Sequence, residues 1–114
     1  MAITLFHRER IVKKASASTL TCYSDKVPYG QTLYIERIAV TNDTTDGSVV
    51  QIGLDVAGYR HIVAELTLTT HGHWYTVHPQ TWLSATERLV FHFTGLTSGD
   101  GIEINITGHY AEVK

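Results

Sequence analysis

At 114 residues the chain has room for one domain built on one hydrophobic core, which excludes a second independent core. Apolar residues at 43% and charged residues at 18% give a globular balance and exclude wholesale disorder. The formal net charge of -2 supplies no global field for nucleic acid or an anionic membrane, and neither is expected as a partner.

The chain opens on MAITLFHRER, where an apolar run precedes the basic residues, the reverse of a secretory leader. No window approaches the length of a membrane-spanning helix. Residues 1–14 are set off by the linker-like ASAS at 15–18 and are expected to form an N-terminal arm, with residues 15–114 forming the β-sandwich domain. In that arm Ile3, Leu5 and Phe6 are the apolar anchors expected at an interface, and Arg8, Arg10, Lys13 and Lys14 are placed to meet acidic groups on a partner. Cys22 is alone, so no internal disulfide can form, and its place in an apolar run reads as a buried, inert thiol.

From residue 32 onward short alternating runs rich in Val, Ile, Thr and Tyr are broken by Gly, Asp, Ser and Pro, and no stretch sustains helical periodicity. Strict alternation places Leu33, Ile35, Arg37 and Ala39 on one side and Tyr34, Glu36, Ile38 and Val40 on the other, as if this central strand were buried on both faces. The DTTDGS segment at 43–48 has hairpin-turn chemistry and leads to a strand whose inward row is Val50, Ile52, Leu54 and Val56. After Gly58, Ile62, Ala64, Leu66 and Leu68 alternate with mostly polar residues. Pro79 bars an interior position in a continuous central strand. Leu89, Phe91 and Phe93, then Ile102, Ile104 and Ile106, give two more apolar rows, and Val113 follows near the end. About eight strands in this pattern predict an all-β fold, an antiparallel β-sandwich or jelly roll, with an eight-stranded closed barrel as the competing architecture.

Seven histidines invite a metal reading, because His71 and His73 stand two apart and would share a strand face, with His61, His78, His92 or Glu65 as completing ligands. Such a pair on a β-sandwich is similar to the cupins, but their motif places a glutamate a few residues later, whereas here the next acidic residue after the pair is Glu87. Surface or interface histidines are therefore expected, with no metal and no cofactor. Asp55, Glu65, Glu87, Asp100, Glu103 and Glu112 fall in turns or on polar strand faces and do not read as a catalytic carboxylate pair. The sequons at Asn42 and Asn105 read as ordinary strand and loop residues. Tyr59, Trp74, Tyr75 and Trp82 cluster in the second half, the residue types that protein interfaces and sugar-binding platforms use.

Residues 26–42 (KVPYGQTLYIERIAVTN), the strand at 49–56, and residues 85–110 (ATERLVFHFTGLTSGDGIEINITGHY) together resemble the β-sandwich accessory proteins of tailed bacteriophage virions, including capsid decoration proteins and small head and tail components. Pro28 and Gly30 occupy the turn that in that group leads into a long central strand, and Gly108, His109 and Tyr110 the late strand end. The resemblance implies a non-enzymatic homo-oligomer or lattice-bound subunit, made in a bacterial cytoplasm and located in the virion, without catalytic residues. A carbohydrate-binding module using Trp74, Tyr75, Trp82 and Tyr59 is the alternative from another class.

Overall fold

β-branched and aromatic residues alternate with polar ones through most of the chain, and in the computed structural model, which describes residues 4–112, these runs become nine strands. They are β1 (Thr4–Lys14), β2 (Leu20–Tyr23), β3 (Gln31–Asn42), β4 (Ser48–Val56), β5 (Tyr59–Leu68), β6 (Tyr75–Val77), β7 (Thr81–Leu83), β8 (Arg88–Thr94) and β9 (Gly101–Glu112). One sheet runs β1-β9-β3-β6, with β7 pairing farther along the same edge of β3, and the other runs β2-β8-β4-β5. Every pairing is antiparallel. Only the β4–β5 and β6–β7 links stay within a sheet; all others cross the sandwich, which is the winding of a jelly roll. Both sheets have open edges, so the closed barrel is ruled out.

The expected hairpin at residues 43–48 is instead a crossover. β3 belongs to the five-stranded sheet and β4 to the four-stranded one, so the Asp-Gly turn carries the chain around a corner. Among the described residues the one tight two-residue hairpin lies at Ala57 and Gly58, whose φ values of 51° and 83° supply the mirror-image turn that matches strand twist. Pro79 sits between β6 and β7 at the sheet margin, where its missing N–H costs no ladder bond.

The core lies between the sheets. Ile35, Ile38 and Val40 of β3 and Ile102, Ile104 and Ile106 of β9 are buried against Val50, Ile52, Leu68, Leu89, Phe91 and Phe93 of the opposite sheet. Cys22 is buried among them, and burial raises its thiol pKa while the Lys13 charge pulls the other way. Residues 4–14 of the expected arm form the edge strand β1, paired with β9 along its length, with Ile11 in the core. Ile3 and Val113 lie outside the described residues.

At one end of the sandwich a buried polar knot ties three crossovers together. The Asn42 amide donates to Asp100 (3.1 Å) and Ser48 (3.3 Å), and its carbonyl oxygen accepts from the Thr44 and Thr45 N–H groups (3.1 and 3.3 Å). Asp100 also accepts from the Thr45 hydroxyl and the Thr97 N–H, both at 2.8 Å. Its backbone carbonyl accepts from the Ala15 N–H, and the Ala15 carbonyl accepts from the Gly99 N–H, so the linker-like segment is anchored at its first residue. Burial pushes the Asp100 carboxyl upward, but these donors together hold its pKa below the ordinary carboxylate value.

An ionised Asp100 therefore stabilises the fold. That contribution is present above the unfolded-state pKa near ~3.9 and is lost as pH falls through the lower folded-state value. Asp100→Asn is expected to lower unfolding free energy by about 1–3 kcal/mol at neutral pH and to flatten its decline below about pH 4, measured by urea unfolding across pH.

A contact face on the five-stranded sheet

The outward residues of the five-stranded sheet fall into cross-strand rows fixed by register. Phe6, His109, Tyr34 and Trp82 form one row across β1, β9, β3 and β7. Arg8, Thr107 and Arg37 form the next, followed by Arg10, Asn105, Ala39 and Thr76, then Val12, Glu103 and Thr41. Trp74 stands just before β6, at the far end of these rows.

Strict alternation does not produce this arrangement. A bulge between Ile35 and Arg37 inserts Glu36 as an extra residue, so Ile35 and Ile38 both face the core while Tyr34, Arg37 and Ala39 face outward. The expected grouping of Arg37 with Leu33 and Ile35 is thus overturned by a parity switch, while Ile38, Ala39 and Val40, all buried in succession, are the part of the strand covered on both faces. Opposite the bulge a Cβ on Gly108 would clash with the Tyr34 carbonyl oxygen, so only glycine allows β9 this close. Glu36 then reaches His109, Oε1 to Nδ1 at 2.7 Å.

Two patches result. One is an aromatic cluster of mutually tilted rings: the Tyr34 ring lies 4.9 Å from that of Trp82 and 5.5 Å from that of His109, and Trp82 meets His109 edge-on at 6.5 Å. Trp82 is 53% exposed. The other is a groove of about 440 Å³ lined by Phe6, Arg8, Arg37, Ala39, Trp74, Asn105 and Thr107. Beside it Arg10 donates to Glu103 at 2.9 Å, which holds the Glu103 carboxyl below its ordinary pKa, and the other oxygen of Glu103 accepts from the Asn105 amide at 3.1 Å. Among the described residues, Arg8 and Arg37 have no carboxylate within ion-pairing distance.

The outer face of the four-stranded sheet is different, because its polar side chains are paired with one another. Thr21 bonds His92 (2.9 Å), Gln51 donates to Glu65 (3.2 Å), and Arg88 donates to Asp55 (2.9 Å) while lying 3.9 Å above the Tyr23 ring. Exposed apolar groups there gather on the edge strand β5, at Tyr59, Ile62 and Val63.

The structure brings Phe6, Arg8, Arg10, Trp74 and Trp82 onto one face, so the basic segment before Ala15 and the aromatic corner, separate in sequence, form a single surface. Leu5 and Lys13 stand in the inward-facing register of β1, although both are exposed at its ends, and Lys14 is exposed where β1 stops. Tyr59 is on the other sheet. Tyr75 turns its ring toward the core, and its hydroxyl bonds the Thr69 hydroxyl (2.7 Å) and accepts from the Thr70 N–H (2.9 Å). The sugar platform of Tyr59, Trp74, Tyr75 and Trp82 is therefore not assembled. His71 is engaged with Asp46, Nδ1 to Oδ1 at 2.7 Å, and among the described residues no three or more His, Cys, Asp or Glu side chains gather as a metal site. Arg37, Tyr34, Asn105 and His109 were missed as surface candidates; the parity switch hid Arg37, and the other three carry no local signal.

No family model and no curated protein sequence matches the chain. Solved structures share its fold. A protein of Bacillus endospore appendages, described as a novel family of disulfide-linked pili, superimposes with a TM-score of 0.61 at 14% identity, over 100% of this chain and 92% of that one. The Drosophila NLP core, described in terms of pentamer formation and histone binding, gives 0.50 at 15% identity over 91% and 97%. A chain of infectious bursal disease virus, Gt strain, gives 0.52 at 11% identity, with 97% of this chain matching 31% of that chain. At these identities the likeness is one of fold.

Because β9 can lie this close to β3 opposite the bulge only with glycine at position 108, Gly108→Ala is expected to destabilise the protein by more than about 2 kcal/mol, seen as a lowered midpoint in chemical denaturation.

Proposed function

We propose that the protein is a structural, non-enzymatic subunit that acts by self-association and attachment to a larger particle, specifically as a decoration component of a tailed-phage virion. The observation that carries this reading is the cluster of Tyr34, Trp82 and His109 on the outer sheet face, half-buried rings around an exposed Trp82 of the kind that supplies interface anchors. Support also comes from the fold, shared with a pilus-forming protein, a pentamer-forming core and a virus chain, and from the sequence pattern resembling phage accessory proteins. Cys22 is buried, so association would be non-covalent, unlike that of the disulfide-linked pili. Of the carboxylates weighed for catalysis, five are committed elsewhere: Asp55 to Arg88, Glu65 to Gln51, Glu87 to the Ser84 N–H, Asp100 to Asn42, Thr45 and Thr97, and Glu103 to Arg10.

The test has two parts. Light scattering is expected to give a defined oligomer for the unaltered chain and a shift toward monomer for Trp82→Ala, a change at an exposed position that leaves the fold intact. Mass spectrometry of purified particles is expected to detect the chain. A strictly monomeric protein absent from particles would overturn the reading.

A further inference from the structure

The groove between Phe6 and Trp74 carries a chemistry that self-association does not use. Arg8 and Arg37 stand on β1 and β3, either side of Thr107 on the central strand β9, which sets their backbones roughly 10 Å apart, and both line the groove. Phe6 is 74% exposed and Trp74 46% exposed, so both can offer apolar surface to a ligand. Asn105 is oriented by its neighbour: its amide nitrogen is held by Glu103, itself fixed by Arg10, which turns the carbonyl oxygen away from Glu103. That oxygen is buried and has no donor among the described residues. A buried acceptor left without a donor costs free energy, which a ligand hydroxyl would recover once the side chain shifts enough to open that oxygen to the groove that Asn105 lines.

Three demands follow: an anion for the arginines, a hydroxyl or amide donor for Asn105, and a compact apolar body against Trp74 or Phe6. The groove lies on a sheet face over β9, whose backbone groups are spent in its ladders with β1 and β3, so an extended peptide lying in it gains no main-chain bonds from that strand. Planar guanidinium groups suit a carboxylate, and side-chain amide and hydroxyl groups read ring hydroxyls. Two arginines on a chain of net charge -2 offer too little positive charge to hold a phosphate polymer. We infer that this groove binds a carboxylated sugar, with Arg8 and Arg37 taking the carboxylate, Asn105 and Thr107 the hydroxyls, and Trp74 the ring face. The site is separate from the Tyr34, Trp82 and His109 patch on which the assembly reading rests.

The test titrates the full chain with a galacturonic acid trisaccharide and with sialyllactose, against neutral galactose and lactose oligomers, following tryptophan indole and arginine side-chain NMR signals. Saturable shifts of Trp74, Arg8 and Arg37 with at least one acidic sugar, about tenfold weaker with its neutral counterpart, are expected. Arg37→Ala and Trp74→Ala, both at exposed positions, are expected to abolish the response, while Trp82→Ala retains it. The idea is overturned if neither acidic sugar perturbs the groove, if neutral sugars bind equally well, or if hexaglutamate or an oligonucleotide binds as tightly as the sugars. Light scattering on the same samples separates the two readings: loss of the oligomer in Arg37→Ala or Trp74→Ala would place the groove inside the protein interface and end the sugar proposal, whereas loss in Trp82→Ala alone leaves it standing.

Discussion

The extra residue at Glu36 decides which way the rest of β3 faces, and the bare backbone of Gly108 is what lets the neighbouring strand follow it. Before the bulge Leu33 and Ile35 point inward; after it Ile38, Val40 and Asn42 do. Without the inserted residue Ile38 and Val40 would turn to solvent and Arg37 and Ala39 to the core, an exchange that a sandwich cannot tolerate. The same insertion delivers Glu36 to His109 and Arg37 to the groove. Core and contact face thus rest on one irregularity.

The two ends of the sandwich are held by different means. At the Asp100 end, buried hydrogen bonds from Asn42, Thr45 and Thr97 lock the crossovers, and an ionised carboxylate is kept charged by neutral donors instead of a cation. At the other end of β1, Glu9 faces inward and accepts from the Asp25 N–H at 3.0 Å, while burial raises its pKa. Buried polar bonds are therefore concentrated where the chain changes sheets, while the outward face of β9 and β3 carries partly exposed ion pairs and ring contacts.

Much of the fold was legible because period-two runs such as Ile102, Ile104 and Ile106, or Leu89, Phe91 and Phe93, leave little choice about which face is buried. Sheet membership was not legible. A six-residue loop with Asp-Gly chemistry serves a hairpin or a corner equally well, and only long-range pairing of β3 with β9 distinguishes them. The candidate site was half legible: Trp74, Trp82, Phe6, Arg8 and Arg10 announced themselves by residue type. Their meeting on one face could not be read, because it depends on β1 pairing with β9 from the opposite end of the sequence. Arg37 was hidden by the bulge, for which the sequence carries no signal at Glu36 and only an unremarkable glycine at Gly108.

That pairing of β1 with β9 also shapes how the molecule comes into being. During synthesis β1 emerges first, yet its hydrogen-bonding partner along its whole length is made about ninety residues later, so the strand waits with an unpaired backbone while the intervening strands are translated. A waiting strand of alternating apolar residues would be a template for aggregation. Arg8, Glu9, Arg10, Lys13 and Lys14 give it instead the charge density that natural edge strands use to stay unpaired, and they keep doing so afterwards on its permanently open side. The basic character of this segment thus has a use during biogenesis that precedes any partner it later meets.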